Sequence, residues 1–163
     1  MSEVLSWDQA IAALTGPGGP FEIIEKEVAV QTTKLFSNTA ISLRHRFLEC
    51  RLHGDKTFMV YEDETWDFTK TMARVEEIAD ALVSRYGVQP GDRVAISMRN
   101  YPEWIMSFAA IVSVGGIAVC MNSWWKTDEM VYGLEDSSPK LLLADIERFR
   151  IAESALSRLG IRA

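Results

Sequence analysis

The chain has 163 residues, 48% hydrophobic and 25% charged, a size and balance that suit one domain with a real core and exclude two large ones. Its formal net charge is −6 and its seventeen lysines and arginines are scattered, which excludes the basic footprint of a nucleic-acid binder. Two cysteines, Cys50 and Cys120, lie in apolar surroundings far apart in sequence, and read as buried thiols of a reducing compartment instead of a disulfide framework.

The start, "MSEVLSWDQAIAALTGPGGP", has no basic n-region, and Asp8 and Gln9 interrupt its apolar stretch, so it is no secretory signal and a cytoplasmic location is expected. Ser6 and Gln9 make a capping box for a short helix that Gly16 and Pro17 end. Residues 21 to 39 are mixed and follow neither a helical nor a strand period. Ser42 is the expected N-cap of a second helix, with Leu43, Phe47 and Cys50 along one side and Gly54 as terminator. "KTFMVYEDETWDF" predicts a β-hairpin in which Phe58 and Val60 alternate against Thr57 and Met59. Its turn covers Glu62-Asp63-Glu64 without the usual glycine, and its returning strand runs through Trp66 and Phe68.

From Thr69 the pattern is regular. Met72, Val75, Ala79, Leu82 and Tyr86 recur three and four apart, an apolar helical stripe fit to cover a sheet, and Gly87 closes the helix. After a Pro-Gly turn, a strand covers Arg93 to Met98. "NYPEW" starts the next helix, with Asn100 as N-cap, Pro102 in the first turn and Glu103 capping back. That helix, through Val114, is apolar nearly all round and must be buried on several sides. Thr127, Asp128 and Glu129 open another helix that "EDSSP" ends, the strand "KLLLAD" follows, and a last helix runs from Ile146 to Leu159. At "GIRA" the rhythm requires one more strand, so the chain reads as cut within a larger fold.

The run from Trp104 to Trp125 contains no ionisable side chain and has the length of a membrane span, with tryptophan at both ends. Gly115-Gly116 breaks it, and Ile117-Ala118-Val119 resumes it with strand-forming residues. Helix, turn and buried strand is therefore the expected reading, with no membrane span. The fold class is α/β: a mostly parallel sheet with flanking helices, preceded by a β-hairpin. Residues 1–55 are expected to form a helical lead-in and 56–163 the first part of a truncated α/β domain.

No motif for chemistry stands out. There is no P-loop, "SVGGIA" lacks the third glycine of a dinucleotide fingerprint, and "GPGGP" at 16–20 follows a helix and has no lysine, so it reads as a linker. Cys50 and His53 are too few for a metal site, and the acids of "YEDETWD" read as solvated turn charge. If the domain binds a small molecule, a doubly wound sheet places it at the carboxyl ends of the strands, in the loops Arg99 to Tyr101 and Met121 to Lys126. Arg93 and Arg99 are isolated at strand ends and are expected to be solvated or paired with acids.

The segments in order add a resemblance. "TWDF" is similar to the T-Y-x-E-L segment of the AMP-forming acyl-CoA synthetases, the fatty-acid and aromatic-acid CoA ligases of the adenylate-forming superfamily. "GVQPGDRVAISMRNYPEW" is similar to that family's G-V-x-x-G-D-R-V-A-I-x-x-x-N-x-P-E signature, and "GGIAVCMNSWW" to its G-A-V-x-V-P-L-N-P stretch. The likeness covers Ser42 to Asp145, with departures at Cys120, Met121 and Phe68-Thr69, which are packing positions in the family. The resemblance implies an N-terminal portion of a larger adenylation domain. The parent would join a carboxylic acid to AMP from ATP, with Mg²⁺, and then transfer the acyl group to CoA. The family's phosphate loop, adenine and ribose segments and catalytic lysine do not occur in these residues, so no catalytic, cofactor-binding or metal residue is carried over. The 163 residues alone are expected to be inactive, to hold no cofactor, and to self-associate through exposed apolar surface. The alternative reading is a stand-alone doubly wound module for a nucleotide or small molecule.

Overall fold

The computed structural model describes residues 4–28, 30–40 and 42–163. They form two compact units, 1–41 and 42–163.

In the first unit, helix α1 (Trp7–Thr15) starts at the capping box expected of Ser6 and Gln9 and ends at Gly16. Residues 21 to 39, which show no period, contain an antiparallel hairpin of β1 (Ile23–Val28) and β2 (Gln31–Phe36), with Phe21 edge-on to Phe36. No residue of α1, β1 or β2 is buried. A hairpin without a buried face selects no alternation of polar and apolar residues, so its sequence carries no strand period.

The second unit opens with α2 (Leu43–Glu49), N-capped by Ser42, which tightens into a 3-10 turn at Cys50–His53 before Gly54. Strands β3 (Thr57–Tyr61) and β4 (Glu64–Asp67) form the predicted hairpin, turned by Glu62 in the left-handed region that glycine would favour. Its phase differs from the expected alternation. A bulge between Thr57 and Met59 inserts one residue, so Met59 packs on the core and Val60 is exposed. Phe68 does not continue the strand, because Asp67 accepts a hydrogen bond from the Lys70 amide (2.6 Å) and starts helix α3 (Phe68–Ser84) there.

Strand β5 (Arg93–Ser97) is the centre of a three-stranded parallel sheet, with β6 (Ile117–Cys120) on one side and β7 (Leu141–Ala144) on the other. Both of its faces are covered. Val94, Ile96 and Met98 pack with Met72, Val75 and Leu82 of α3 and with helix α4 (Pro102–Ser113). Ala95 packs with Met130 and Leu134 of α5 (Thr127–Ser137) and Ala152 and Leu156 of α6 (Ile146–Leu159). The α4 N-cap is Tyr101 and not the expected Asn100. The residue before a proline is driven to extended backbone, so a helix beginning at Pro102 must be capped at 101, one place later than the asparagine.

The uncharged run is helix α4, a turn at Gly115 with φ +82°, and strand β6. No helix among the described residues is long and apolar enough to cross a membrane. Beyond Gly160, Arg162 bridges in parallel to Leu141, the strand-like pairing the rhythm required at "GIRA". Strand β6 is not buried as expected: at the edge of the sheet among the described residues, it is exposed at Ile117 and Cys120 and half-buried between them. The two thiols are accordingly less buried than expected, Cys50 half-buried and Cys120 exposed.

Candidate functional site

In this strand order, the chain leaves β5, returns on one side as β6 and then crosses to the other side as β7. The carboxyl ends of the strands therefore form the crevice at which an open parallel sheet presents its loops to ligands. Three loops meet there, after β5, β6 and β7, and each supplies one part of a connected network.

Asp145, directly after β7, is the N-cap of α6: its carboxylate accepts from the Arg148 amide at 2.9 Å and from the Arg99 amide, in the loop after β5, at 3.0 Å. The Arg148 guanidinium contacts both Asp145 oxygens at 3.2 Å through one terminal nitrogen, which also meets Glu147 at 2.8 Å. Its Nε donates to the carbonyl of Ser123, in the loop after β6, at 2.9 Å. Burial pushes the Asp145 carboxyl up, but the two amides and the guanidinium outweigh it and hold the group below its ordinary value. Next to Ser123, the Trp124 amide donates to the Asn122 side chain at 2.9 Å, and the indole lies under the Arg99 guanidinium, 3.2 Å from the ring centre. Arg99, expected to be solvated or paired with an acid, instead has the Trp124 aromatic face as its partner.

A recess of about 410 Å³ opens between Tyr61, Arg99, Asn100, Tyr101, Ser123 and Trp124. Tyr61 and Tyr101 meet edge-to-face at 5.8 Å, and partial burial, then the Glu62 carboxylate, pushes the Tyr61 phenol up. The two loops singled out from sequence, Arg99 to Tyr101 and Met121 to Lys126, are therefore brought together. They offer a guanidinium, an indole face, an amide and phenols, a surface that can hold a planar or anionic group. A second cleft of about 590 Å³, with Tyr61, Arg74, Met98, Ser107 and Leu143 in its lining, lies between α3, the β3–β4 hairpin and β7. Beneath the loops, the Ser97 hydroxyl at the end of β5 is fully buried without a hydrogen-bond partner.

Other sequence candidates lie elsewhere. The Cys50 thiol donates to the Arg46 carbonyl within its own helix, and the His53 ring packs against Phe68 at 4.6 Å. Of the "YEDETWD" acids, Glu64 accepts from the Trp66 indole and Asp67 caps α3. Gly16 of "GPGGP" ends α1. Among the described residues no three His, Cys, Asp or Glu side chains are grouped to hold a metal ion. Sequence reading missed Asp145 and Arg148 as site residues. An acid directly after a strand, at the N-cap of a helix and three residues before an arginine, was the available signal.

Residues 48–161 match the AMP-binding enzyme family. Malpinin synthetase of Mortierella alpina is 36% identical over 87 residues, which are 53% of this chain and 1% of that protein. Oxalate–CoA ligase of Arabidopsis thaliana is 36% identical over 98 residues, 58% of this chain and 19% of that protein. The solved structure of the anthranilate CoA ligase AuaEII with anthranoyl-AMP superposes with a TM-score of 0.68 at 27% identity, covering 74% of this chain and 23% of that one. The chain thus spans about a fifth or less of the two curated relatives' own length. With the parallel sheet, its flanking helices and well over half of the sequence in agreement, the chain belongs to the AMP-binding enzyme family.

Proposed function

We propose that the chain is the N-terminal segment of an ATP-dependent acid–CoA ligase, in which a carboxylate attacks the α-phosphate of ATP to give an acyl-adenylate and CoA then displaces AMP. The match of residues 48–161 to the AMP-binding enzymes, with CoA ligases among the relatives, carries this reading. Residues 56–163 are the first part of the adenylation domain and 1–55 its lead-in; the protein works in the cytoplasm on a fatty or aromatic carboxylic acid with ATP, CoA and Mg²⁺. Adenylyl transfer requires cations and amide donors preorganised around the α-phosphate. Arg148 is already engaged, by Asp145, Glu147 and Ser123, and Arg99 is a single cation stacked on Trp124. The phosphate loop, adenine and ribose segments and catalytic lysine that the family uses do not occur in these residues, so the catalytic groups lie outside these 163, and what this segment contributes is a sheet edge and its three loops.

The test is acid-dependent exchange of labelled pyrophosphate into ATP, run on the 163-residue chain and on the longest polypeptide of its reading frame with a panel of acids. Exchange is expected from the longer protein only. Robust exchange by the segment refutes the placement of the catalytic groups, and silence from a well-folded longer protein across the panel refutes the ligase reading.

The recess between Arg99 and Trp124 favours one second reading, a doubly wound module that binds a small molecule without turnover. Thermal shift of the chain with ATP, carboxylic acids or CoA separates the two, since only the module is stabilised by a ligand on its own. Exposed Trp7, Ile11 and Leu14 on α1, and Trp124, 75% exposed, support self-association of the chain. Light scattering across a concentration series checks it; a strict monomer that binds no hydrophobic dye counts against it.

A further inference from the structure

We propose that Arg148 is a positioning residue of the carboxyl edge, a buried clasp that hangs the Trp124 loop and Arg99 from one guanidinium–carboxylate pair. Its use in ligand binding rests on the reading of that edge as the ligand-facing side; the clasp itself is independent of any ligand.

Arg148 is 5% exposed, and its side chain is anchored in α6, after β7. Burying a guanidinium is costly unless its donors are satisfied, and capping α6 does not require it, because the cap bond comes from the Arg148 backbone amide. What the guanidinium adds is reach. The loops after β6 and β7 are separated by β5, yet Arg148 holds the Ser123 carbonyl with Nε while it pairs with Asp145. Asp145 in turn holds the Arg99 amide. Ser123 is joined to Trp124, whose amide is fixed by Asn122. Both partners of the Arg99–Trp124 stack are therefore positioned from the same pair, and neither needs to touch Arg148. A lysine can keep the pairing with Asp145, but one ammonium cannot reproduce the fork that bridges Asp145 and Ser123.

The experiment uses the 163-residue chain labelled with 5-fluorotryptophan, without ligand. Of the five tryptophan resonances, Trp124 is assigned by its loss in Trp124→Phe, and Arg99→Met defines its position without the stack. In Arg148→Lys the Trp124 resonance is expected to move more than half-way toward the Arg99→Met position, while those of Trp7, Trp66 and Trp104, outside this loop, stay and the far-UV spectrum keeps its shape. In Arg148→Met it is expected to move the whole way. If Arg148→Met does not fold, Arg148→Lys decides alone. A Trp124 resonance that stays at its wild-type position in Arg148→Lys or in folded Arg148→Met, or that ignores Arg99→Met, overturns the proposal. Arg148 would then be a helix-capping ion pair with no hold on the loop. Silence in pyrophosphate exchange leaves this result standing, and a stationary resonance leaves the ligase reading standing.

Discussion

Replacing Gly133 by alanine sets two effects of opposite sign against each other. In a helix interior, glycine to alanine contributes roughly 1 kcal/mol of stability through the backbone. Gly133, however, lies in α5 directly beneath the Trp125 ring: a Cβ built there would stand 2.5 Å from Trp125 Cζ3 and 3.1 Å from both Trp125 Cη2 and Met121 Cε. Carbon atoms pack best at about 3.5–4.0 Å, so the indole would have to retreat by about an ångström. Overpacking of this kind costs about 1–3 kcal/mol, which leaves Gly133→Ala destabilising by about 1 kcal/mol. In a Trp125→Leu background the 2.5 Å obstacle is gone and only the flexible end of Met121 must give by a few tenths of an ångström, so the same change should stabilise by up to about 1 kcal/mol. Urea unfolding followed by far-UV circular dichroism on the four proteins of this cycle reads both signs. Stabilisation by Gly133→Ala in the wild-type chain, or equal effects in the two backgrounds within about 0.5 kcal/mol, would refute the reasoning.

Gly115→Ala should cost about 1–2 kcal/mol, since φ there is +82° and the new Cβ would meet Pro90 at 3.2 Å; a thermal midpoint unchanged from wild type would contradict it. Ser97→Ala should be neutral or stabilising by up to about 1 kcal/mol, because the buried hydroxyl it removes has no partner; a loss above 1 kcal/mol in urea titration would mean that the hydroxyl is satisfied. Asp145, whose bonds to Arg148 and Arg99 outweigh its burial, and Asp92, bonded to Lys140 and to the Gln89 amide, both sit below the ordinary carboxylate value. Their folded forms hold protons less tightly than the unfolded chain, so their stabilisation is complete above the unfolded value of about 3.9 and is lost as pH falls through the lower folded values. The urea midpoint should therefore decline below about pH 4, and less steeply in Asp145→Asn; an unchanged slope in that variant would remove Asp145 from the account.

The elements that sequence determined are those whose causes lie within a few residues. Ser6 and Gln9 sit close enough to close a capping box, and the stripe through Met72, Val75 and Leu82 needs only helical spacing to declare α3. Gly115 supplies the positive φ that breaks the uncharged run, and so α4 and β6 were legible where a membrane helix was the tempting alternative. Even the two loops of the recess followed from the rhythm of strands and helices, since a parallel sheet collects its loops at one edge. The hairpin's phase was not legible, because a bulge moves Met59 inward without changing the composition of β3. Neither was the exposure of Cys120, which depends on β6 lying at the edge of the sheet. The network that organises the site joins Arg99 to Asp145 and Arg148 to Ser123, partners 46 and 25 residues apart. Only the order of β6, β5 and β7 brings them within hydrogen-bond distance, and strand order is set by how both faces of β5 are covered, a property of the packed molecule that no local period records.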